Sequence, residues 1–221
     1  MNIHPEIYMN PKELHFFDMY ELNNENIKNY ESKFKPGEKK IIGEKTPSYC
    51  YLQFAIDRIY SYNPNMKLIL ILREPISQAY SQFNMDHPDI LDEFISYVLE
   101  NSNNSKDIKS NGEYYIERGY YDEHIEYILK KFPPENLYVG IAEEIKLNKN
   151  EEYNKIFKFL GGSELIINDD KDTHVRSYEK LLDKNDAKIL YEIYKPHNER
   201  LYNILGRKID IWEKYYENLF Y

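Results

Sequence analysis

Two ionisable side chains stand two residues apart near the start of the chain, a spacing that suits proton transfer. Residues 12–18 read KELHFFD. If this segment is extended, Glu13 and His15 point to the same side, because side chains alternate along a strand. A carboxylate beside an imidazole is suited to general acid–base chemistry. The same pattern also fits a polar strand edge above an aromatic anchor, and the segment alone does not decide between the two.

An arginine and two serines follow an apolar run further along the chain. Residues 66–83 read MKLILILREPISQAYSQF, and Leu68–Leu72 is long enough for one strand buried on both faces. Arg73 then stands at the carboxyl end of this strand, one helix start away from Ser77 and Ser81. Ligands bind at that edge in open α/β sheets, and a guanidinium beside free helix N–H groups and hydroxyls suits a phosphate. The alternative is an arginine that pairs with a carboxylate at a strand end.

A lysine lies in the turn formed by residues 43–49, which read GEKTPSY. Residues 43–46, which read GEKT, resemble the last part of a Walker A phosphate-binding loop. The turn lacks the glycine directly before the lysine and the glycine that opens such a loop, so no ordinary P-loop is present in the sequence. Lys45 can reach a phosphate or sulfate from a strand end, or it can be a solvated surface lysine.

The elements that must position these side chains alternate between strands and helices. Apolar runs predict strands at 40–43, Leu68–Leu72 and 137–142. Helical spacing predicts helices starting at Pro75 and around 121–132, 187–194 and 198–205. Residues 1–12 are predicted to be a helix tail and a loop. The alternation predicts one α/β domain over residues 1–221, a doubly wound sandwich with a parallel sheet.

The composition narrows the classes of function. The chain has 221 residues, a net charge of −9 and a single cysteine, Cys50, which excludes an intramolecular disulfide. The acidic balance argues against a nucleic-acid binder, since such proteins need a basic surface. The six histidines show no close metal-ligand spacing, so no metal is predicted. The oligomeric state is not indicated.

Targeting signals are absent from the printed sequence. No apolar run approaches the length of a membrane span. The amino terminus has neither the basic region nor the apolar core of a signal peptide. A cytoplasmic location is therefore the default expectation, and the secretory pathway is the alternative if the amino terminus is incomplete.

Taken in order, these blocks resemble the PAPS-dependent sulfotransferase family, and most closely its heparan sulfate branch. The resemblance rests on 12–18, 43–49, Leu72-Arg73-Glu74-Pro75 with Ala79-Tyr80-Ser81, 119–133, 159–161 and 205–212. It implies a P-loop-NTPase-like three-layer α/β sandwich with a parallel sheet. It also implies transfer of the sulfuryl group of 3′-phosphoadenosine 5′-phosphosulfate (PAPS) to a hydroxyl or amine, commonly on a carbohydrate, without a metal.

The resemblance carries catalytic roles onto four residues of this chain. Glu13 matches the family's general base, and His15 and Asp18 lie beside it. Lys45 matches a lysine near the sulfuryl group and the acceptor. The reaction needs a carboxylate or imidazole to take the proton of the acceptor. It also needs fixed cationic donors beside the charge on the sulfuryl oxygens and the leaving phosphate.

The same resemblance indicates a donor site. Arg73 and Ser81 match the pair that holds the 3′-phosphate, and Arg176 is the candidate phosphate contact in the loop that covers the nucleotide. Relatives begin with a strand and a Lys-x-Gly-Thr-Thr loop around the 5′-phosphosulfate, ahead of the position of His4-Pro5. This sequence starts just past that loop, so an amino-terminal truncation, a start placed too late or a degenerate protein is expected.

Two functions therefore compete at the level of the sequence. One is a PAPS-dependent sulfotransferase acting on a carbohydrate or small molecule, for which the acidic balance favours a neutral acceptor over a highly sulfated polymer. The other is a non-catalytic, sulfotransferase-like module for nucleotide binding or interaction.

Overall fold

The structure, a computed structural model, describes residues 4–102, 114–168 and 181–220. Its strands are β1 (Ile7–Met9), β2 (Ile41–Gly43), β3 (Leu68–Leu72) and β4 (Leu137–Ile141). Its helices are α1 (Phe16–Met19), α2 (Asn24–Glu31), α3 (Gln53–Tyr62), α4 (Pro75–Asp86), α5 (Phe94–Ser102), α6 (Tyr121–Leu129), α7 (Ala142–Leu147), α8 (Lys149–Leu160), α9 (Lys184–Leu205) and α10 (Asp210–Phe220). None of the helices in these ranges combines the length and the apolar character that crossing a bilayer requires.

The chain divides into two compact units, each built from separate stretches of sequence. Unit 1 contains the described parts of Met1–Leu70, Tyr127–Gly140 and Ile145–Ile167. Unit 2 contains the described parts of Ile71–Glu126, Ile141–Glu144 and Asn168–Tyr221. The expectation of one domain over residues 1–221 stays a prediction.

Unit 1 contains a two-stranded parallel sheet, of which the sequence predicted β2 but not β1. β1 pairs with β2, with Ile7 opposite Ile41. Ile7 is buried with Phe157 in a small apolar core. The prediction of a helix tail and loop for residues 1–12 is therefore wrong at Ile7–Met9. A three-residue strand is too short to show alternation, and its hydrogen bonds come from β2, a distant segment of the chain.

β3 and β4 form a second two-stranded sheet. β3 has the predicted bounds, but the prediction that both of its faces are buried is wrong. Leu72 is its one buried residue, and Ile71 is 43% exposed. Within the described ranges β3 has β4 as its one strand neighbour. A strand with one neighbour lies at a sheet edge, so an apolar run there can remain partly exposed.

α9 is one helix of 22 residues where the sequence predicted two. The two predicted helices, 187–194 and 198–205, lie on either side of Pro196, and a proline inside a helix removes a backbone hydrogen bond and usually kinks or ends the helix. Here the helix continues through Pro196, and its buried face includes Leu190, Tyr194 and Leu201. Burial of that face offsets the cost of the proline. The helix ends at Gly206, whose φ of 68° is readily adopted by glycine.

Candidate functional site

The segment that carries Glu13 and His15 is not extended, as the alternation had assumed, but turns into a helix. His15 has a left-handed backbone, with φ 49° and ψ 34°, and directly precedes α1. It is the one non-glycine residue of the described ranges with positive φ. Such a conformation is uncommon and persists where surrounding contacts fix it. Because α1 is a single turn, it brings Asp18 back towards His15 three positions earlier.

Asp18 is a buried carboxylate that holds the His15 ring. Its Oδ2 lies 2.9 Å from His15 Nδ1, and the hydroxyl of Ser48 donates to the same oxygen. The Asp18 side chain is 2% exposed, and its Oδ1 has no hydrogen-bond partner among the described residues. A carboxylate on one imidazole nitrogen sets the ring's orientation and leaves the other nitrogen for proton transfer.

Glu13 connects this pair to Lys45. His15 Nε2 lies 3.7 Å from Glu13 Oε2, and Lys45 Nζ lies 3.4 Å from Glu13 Oε1. The side chains of Glu13, His15 and Lys45 are 38%, 41% and 63% exposed, so a substrate can reach all three. The structure thus brings together the four residues to which the family resemblance assigned catalytic roles. We call Glu13, His15, Asp18 and Lys45 the acid–base cluster.

A second layer of polar groups behind the cluster was missed from the sequence. The hydroxyl of Tyr49 accepts hydrogen bonds from the backbone N–H groups of Phe16 (2.8 Å) and Phe17 (3.3 Å). The hydroxyl of Thr46 accepts from His15 N–H at 3.4 Å. The first N–H groups of a helix have no partner within it, so these side chains supply one. The available signal was three hydroxyl residues within the four positions 46–49.

Glu44 lies beneath these hydroxyls. Its carboxylate accepts hydrogen bonds from Tyr49 (3.0 Å), Thr46 (3.0 Å) and Tyr30 (3.2 Å). Burial raises the pKa of Glu44, although the three hydrogen bonds act in the opposite direction. Burial and the neighbouring Glu44 raise the pKa of Tyr49 above its usual range, so this phenol stays neutral.

The residues predicted to bind the donor phosphate lie in unit 2. Arg73 follows β3, Ser81 lies in α4, and both are half-buried. The backbone carbonyl of Arg73 accepts a hydrogen bond from the hydroxyl of Tyr121 at 2.9 Å. No described carboxylate pairs with the Arg73 guanidinium, so the alternative of a strand-end ion pair finds no support there. Arg176 lies outside the described residues.

The first N–H groups of α4 are not free, which corrects the sequence reasoning about this helix. The Glu74 carboxylate accepts hydrogen bonds from the N–H groups of residues 76 and 77, at 3.0 and 2.7 Å. It also accepts from the hydroxyl of Tyr216 at 3.0 Å. Burial raises the pKa of Glu74. Because Glu74 already occupies the helix N-terminus, a phosphate in this region must rely on side chains such as Arg73.

One group of three residues in unit 2 has side chains close enough to share a metal ion: Asp122, Glu123 and His197. Asp122, however, already accepts from His197 Nδ1 at 2.8 Å and from Arg200 Nε at 2.6 Å. Burial acts to raise the pKa of Asp122, but His197 and Arg200 outweigh it and the pKa is lowered. A paired carboxylate of this kind fits a structural link between α6 and α9.

Comparison with known proteins gives three findings at the level of sequence. Residues 4–203 match the family described as "Sulfotransferase domain". Human heparan sulfate glucosamine 3-O-sulfotransferase 5 is 27% identical over 171 residues, which cover 72% of this chain and 47% of that protein. The bifunctional heparan sulfate N-deacetylase/N-sulfotransferase of Drosophila melanogaster is 23% identical over 212 residues, which cover 80% of this chain and 20% of that protein. The chain thus spans about half the length of the first relative and less of the second.

A solved structure shows the same fold. The crystal structure of a sulfotransferase from Alicyclobacillus acidocaldarius aligns with a TM-score of 0.76 at 21% sequence identity, covering 96% of this chain and 90% of that chain. This likeness confirms the predicted P-loop-like α/β fold class.

Proposed function

The chain belongs to the sulfotransferase family, and on that premise we propose that it transfers the sulfuryl group of PAPS to a hydroxyl or amine of a carbohydrate. The observation that carries the proposal is the acid–base cluster, in which a base, an oriented imidazole and a cation lie together at an accessible position. No feature of the described residues favours the alternative of a non-catalytic module.

In this proposal Glu13 acts as the general base. It takes the proton of the acceptor while the acceptor's oxygen or nitrogen forms its bond to sulfur. The bond between sulfur and the 5′-phosphate oxygen breaks, and its electron pair leaves with 3′-phosphoadenosine 5′-phosphate. PAPS supplies the activated sulfuryl group. His15, with Nε2 3.7 Å from Glu13 and Nδ1 on Asp18, orients the base and stabilises the proton that arrives there.

Lys45 supplies positive charge to the same reaction. Its ammonium lies 3.4 Å from Glu13 and is mostly exposed, so its flexible stem can carry it to the sulfuryl oxygens. A cation at that position stabilises the charge on these oxygens and on the leaving phosphate. In this proposal Glu13 therefore acts on the proton of the acceptor, and Lys45 acts on the negative charge of the sulfuryl group and the leaving phosphate.

Arg73 and Ser81 are proposed to hold the 3′-phosphate of the donor. The fit rests on chemistry: a guanidinium can bind a phosphate through two parallel hydrogen bonds, and no described carboxylate competes for Arg73. Ser81 adds a hydroxyl two turns into α4. Arg176 is proposed as a further phosphate contact on the resemblance alone.

The acceptor class is inferred from the relatives' names and from charge. One relative is named for an oxygen of heparan sulfate glucosamine and the other for a nitrogen of heparan sulfate. We therefore propose an amino-sugar-containing carbohydrate as acceptor. The net charge of −9 favours a weakly charged form of it over a densely sulfated one.

Two variants separate donor binding from proton transfer. Isothermal titration with 3′-phosphoadenosine 5′-phosphate should show affinity reduced at least about tenfold in Arg73→Ala, because a charge-assisted phosphate contact is lost. Glu13→Gln should keep that affinity but lower kcat about 100-fold or more, measured by mass spectrometry of sulfated amino-sugar oligosaccharides.

Arg207→Ala is the matched control for the binding measurement, because Arg207 already pairs with Glu144 through two contacts of 2.7 Å. It should leave nucleotide affinity unchanged. Failure of the unaltered protein to bind the nucleotide, or full activity in Glu13→Gln, would contradict the proposal.

A further inference from the structure

We propose that Tyr49 is a positioning residue for the sulfuryl transfer and that Glu44 sets the direction of its hydrogen bonds. The inference rests on the proposed function and adds two residues to it. Neither side chain belongs to the acid–base cluster. Both act through the backbone that presents His15 and Asp18.

The backbone from His15 into α1 depends on side-chain acceptors. α1 has four residues, and so short a helix has little stability of its own. The Tyr49 hydroxyl accepts from the N–H groups of Phe16 and Phe17, and the Thr46 hydroxyl accepts from His15 N–H. These three bonds cover the left-handed residue and the first turn. They therefore hold the geometry in which Asp18 meets His15.

Glu44 determines which way these hydroxyls point. Tyr49 and Thr46 donate their hydroxyl protons to the Glu44 carboxylate, which accepts them. Their oxygen lone pairs then face the N–H groups of His15 and α1. A donor at the Glu44 position would turn one hydroxyl around and present a proton to a backbone N–H.

Other contacts hold α1 in place besides the hydroxyls of Tyr49 and Thr46. Arg58 Nη1 donates to the carbonyl of Phe17 at 3.0 Å, and the ring of Phe17 packs edge-on against Tyr49 (5.5 Å) and Tyr62 (5.5 Å). Removing the Tyr49 hydroxyl alone therefore leaves the packing of α1 in place. What changes is the acceptor for the first N–H groups of α1 and one of the three hydroxyl donors to Glu44.

The first test follows the His15 ring directly. Proton–nitrogen NMR of the histidine side chains should show, in the unaltered protein, one dominant state with Nδ1 bonded to Asp18. Tyr49→Phe should shift the His15 nitrogen signals towards a mixture of tautomers. Tyr62→Phe is the matched control, because it loses a hydroxyl from the same aromatic cluster that donates to Glu31 instead. An unchanged His15 spectrum in Tyr49→Phe would overturn the proposal.

The second test uses turnover. Tyr49→Phe should lower kcat at least tenfold with the KM for PAPS and the affinity for 3′-phosphoadenosine 5′-phosphate unchanged, whereas Tyr62→Phe should stay within twofold. Glu44→Gln keeps the shape of the side chain but adds a donor, so it should lower kcat in the same way. Equal kcat losses in Tyr49→Phe and Tyr62→Phe would indicate a general structural effect and overturn the proposal.

A double variant separates positioning from general damage. In a Glu13→Gln background, Tyr49→Phe should cause no more than a twofold further loss, because the base that Tyr49 helps to aim is already gone. A full tenfold loss there would contradict a role through the acid–base cluster. If the unaltered protein sulfates no carbohydrate, the proposed function fails, while the NMR comparison still decides whether Tyr49 positions His15.

Discussion

Replacing Asp18 with asparagine separates the charge of the acid–base cluster from its geometry. Asp18 Oδ2 accepts from both His15 and Ser48, and Oδ1 has no partner among the described residues. In Asp18→Asn the amide oxygen can occupy the Oδ2 position and its NH₂ the Oδ1 position. Both hydrogen bonds and the side-chain volume are then kept, and the negative charge is lost.

The expected size of the effect follows from the two kinds of hydrogen bond. A bond to a charged group contributes about 1.5–3 kcal/mol and a neutral one about 0.5–1.5 kcal/mol. The charge of Asp18 is therefore worth about 1–2 kcal/mol to its hydrogen bond with His15 Nδ1. The value is no larger than this because the His15 side chain is 41% exposed, so solvent partly screens its interaction with Asp18. At about 1.4 kcal/mol per factor of ten, kcat should fall about 5- to 30-fold.

The assay compares kcat, nucleotide affinity and thermal unfolding in Asp18→Asn and Ser48→Ala. Ser48→Ala removes one hydrogen bond to Asp18 but keeps the charge, so its kcat should fall less than about fivefold. Nucleotide affinity should be unchanged in both variants, because neither alters Arg73 or Ser81. An unchanged kcat in Asp18→Asn would refute the reasoning, since the charge would then play no part in turnover.

Two further predictions concern the fold of unit 2. A methyl group on Gly119 would lie 2.6 Å from Tyr194 Cε1, so Gly119→Ala should lower the free energy of unfolding by about 1–3 kcal/mol. Gly162→Ala in unit 1 is the control, because the nearest atom to its added methyl group lies at 3.4 Å, and it should change the free energy of unfolding by less than about 1 kcal/mol. Equal effects of the two substitutions in urea titrations would contradict the prediction. Burial lowers the pKa of His124 to about 4 from 6.5, so the native state binds fewer protons than the unfolded one and the free energy of unfolding should fall by up to about 3 kcal/mol as the pH drops from about 6.5 to 4. His124→Gln should not lose stability in this way as the pH falls. Burial raises the pKa of Glu117 to about 7, which changes stability in the opposite direction, but this contribution is present in both proteins and cancels in the comparison. If the free energy of unfolding fell equally with pH in both proteins, the prediction would be wrong.

Elements with a local signal were predictable. β3 has the bounds of the apolar run Leu68–Leu72, and α4 starts at Pro75. Gly161, with φ 86°, ends α8, and a glycine directly after a helical segment is a common helix stop that can be read from the sequence. Each of these features depends on the residue's own backbone preference or on a short apolar run.

Elements that depend on distant partners were not predictable in the same way. β1 exists because β2 pairs with it, and α9 continues through Pro196 because its apolar face is buried. The N-terminus of α4 is closed by the side chain of Glu74, whereas the sequence suggested N–H groups free for a phosphate. In each case a tertiary contact outweighs the local preference.

The candidate site also has features that the sequence indicated and features that depend on contacts between distant segments. Residue types and their order indicated the family, and the resemblance then assigned proposed roles to Glu13, His15, Asp18 and Lys45. Folding alone decided how they meet: His15 takes a left-handed backbone, and one oxygen of Asp18 accepts both of its hydrogen bonds. The backbone N–H groups of His15 and Phe16 and one of the two hydrogen bonds to Asp18 have their partners about thirty positions further along the chain, at Thr46, Tyr49 and Ser48. The sequence shows that hydroxyl residues cluster at 46–49 but not which backbone or side-chain groups they contact, since these contacts form only when the two segments pack together.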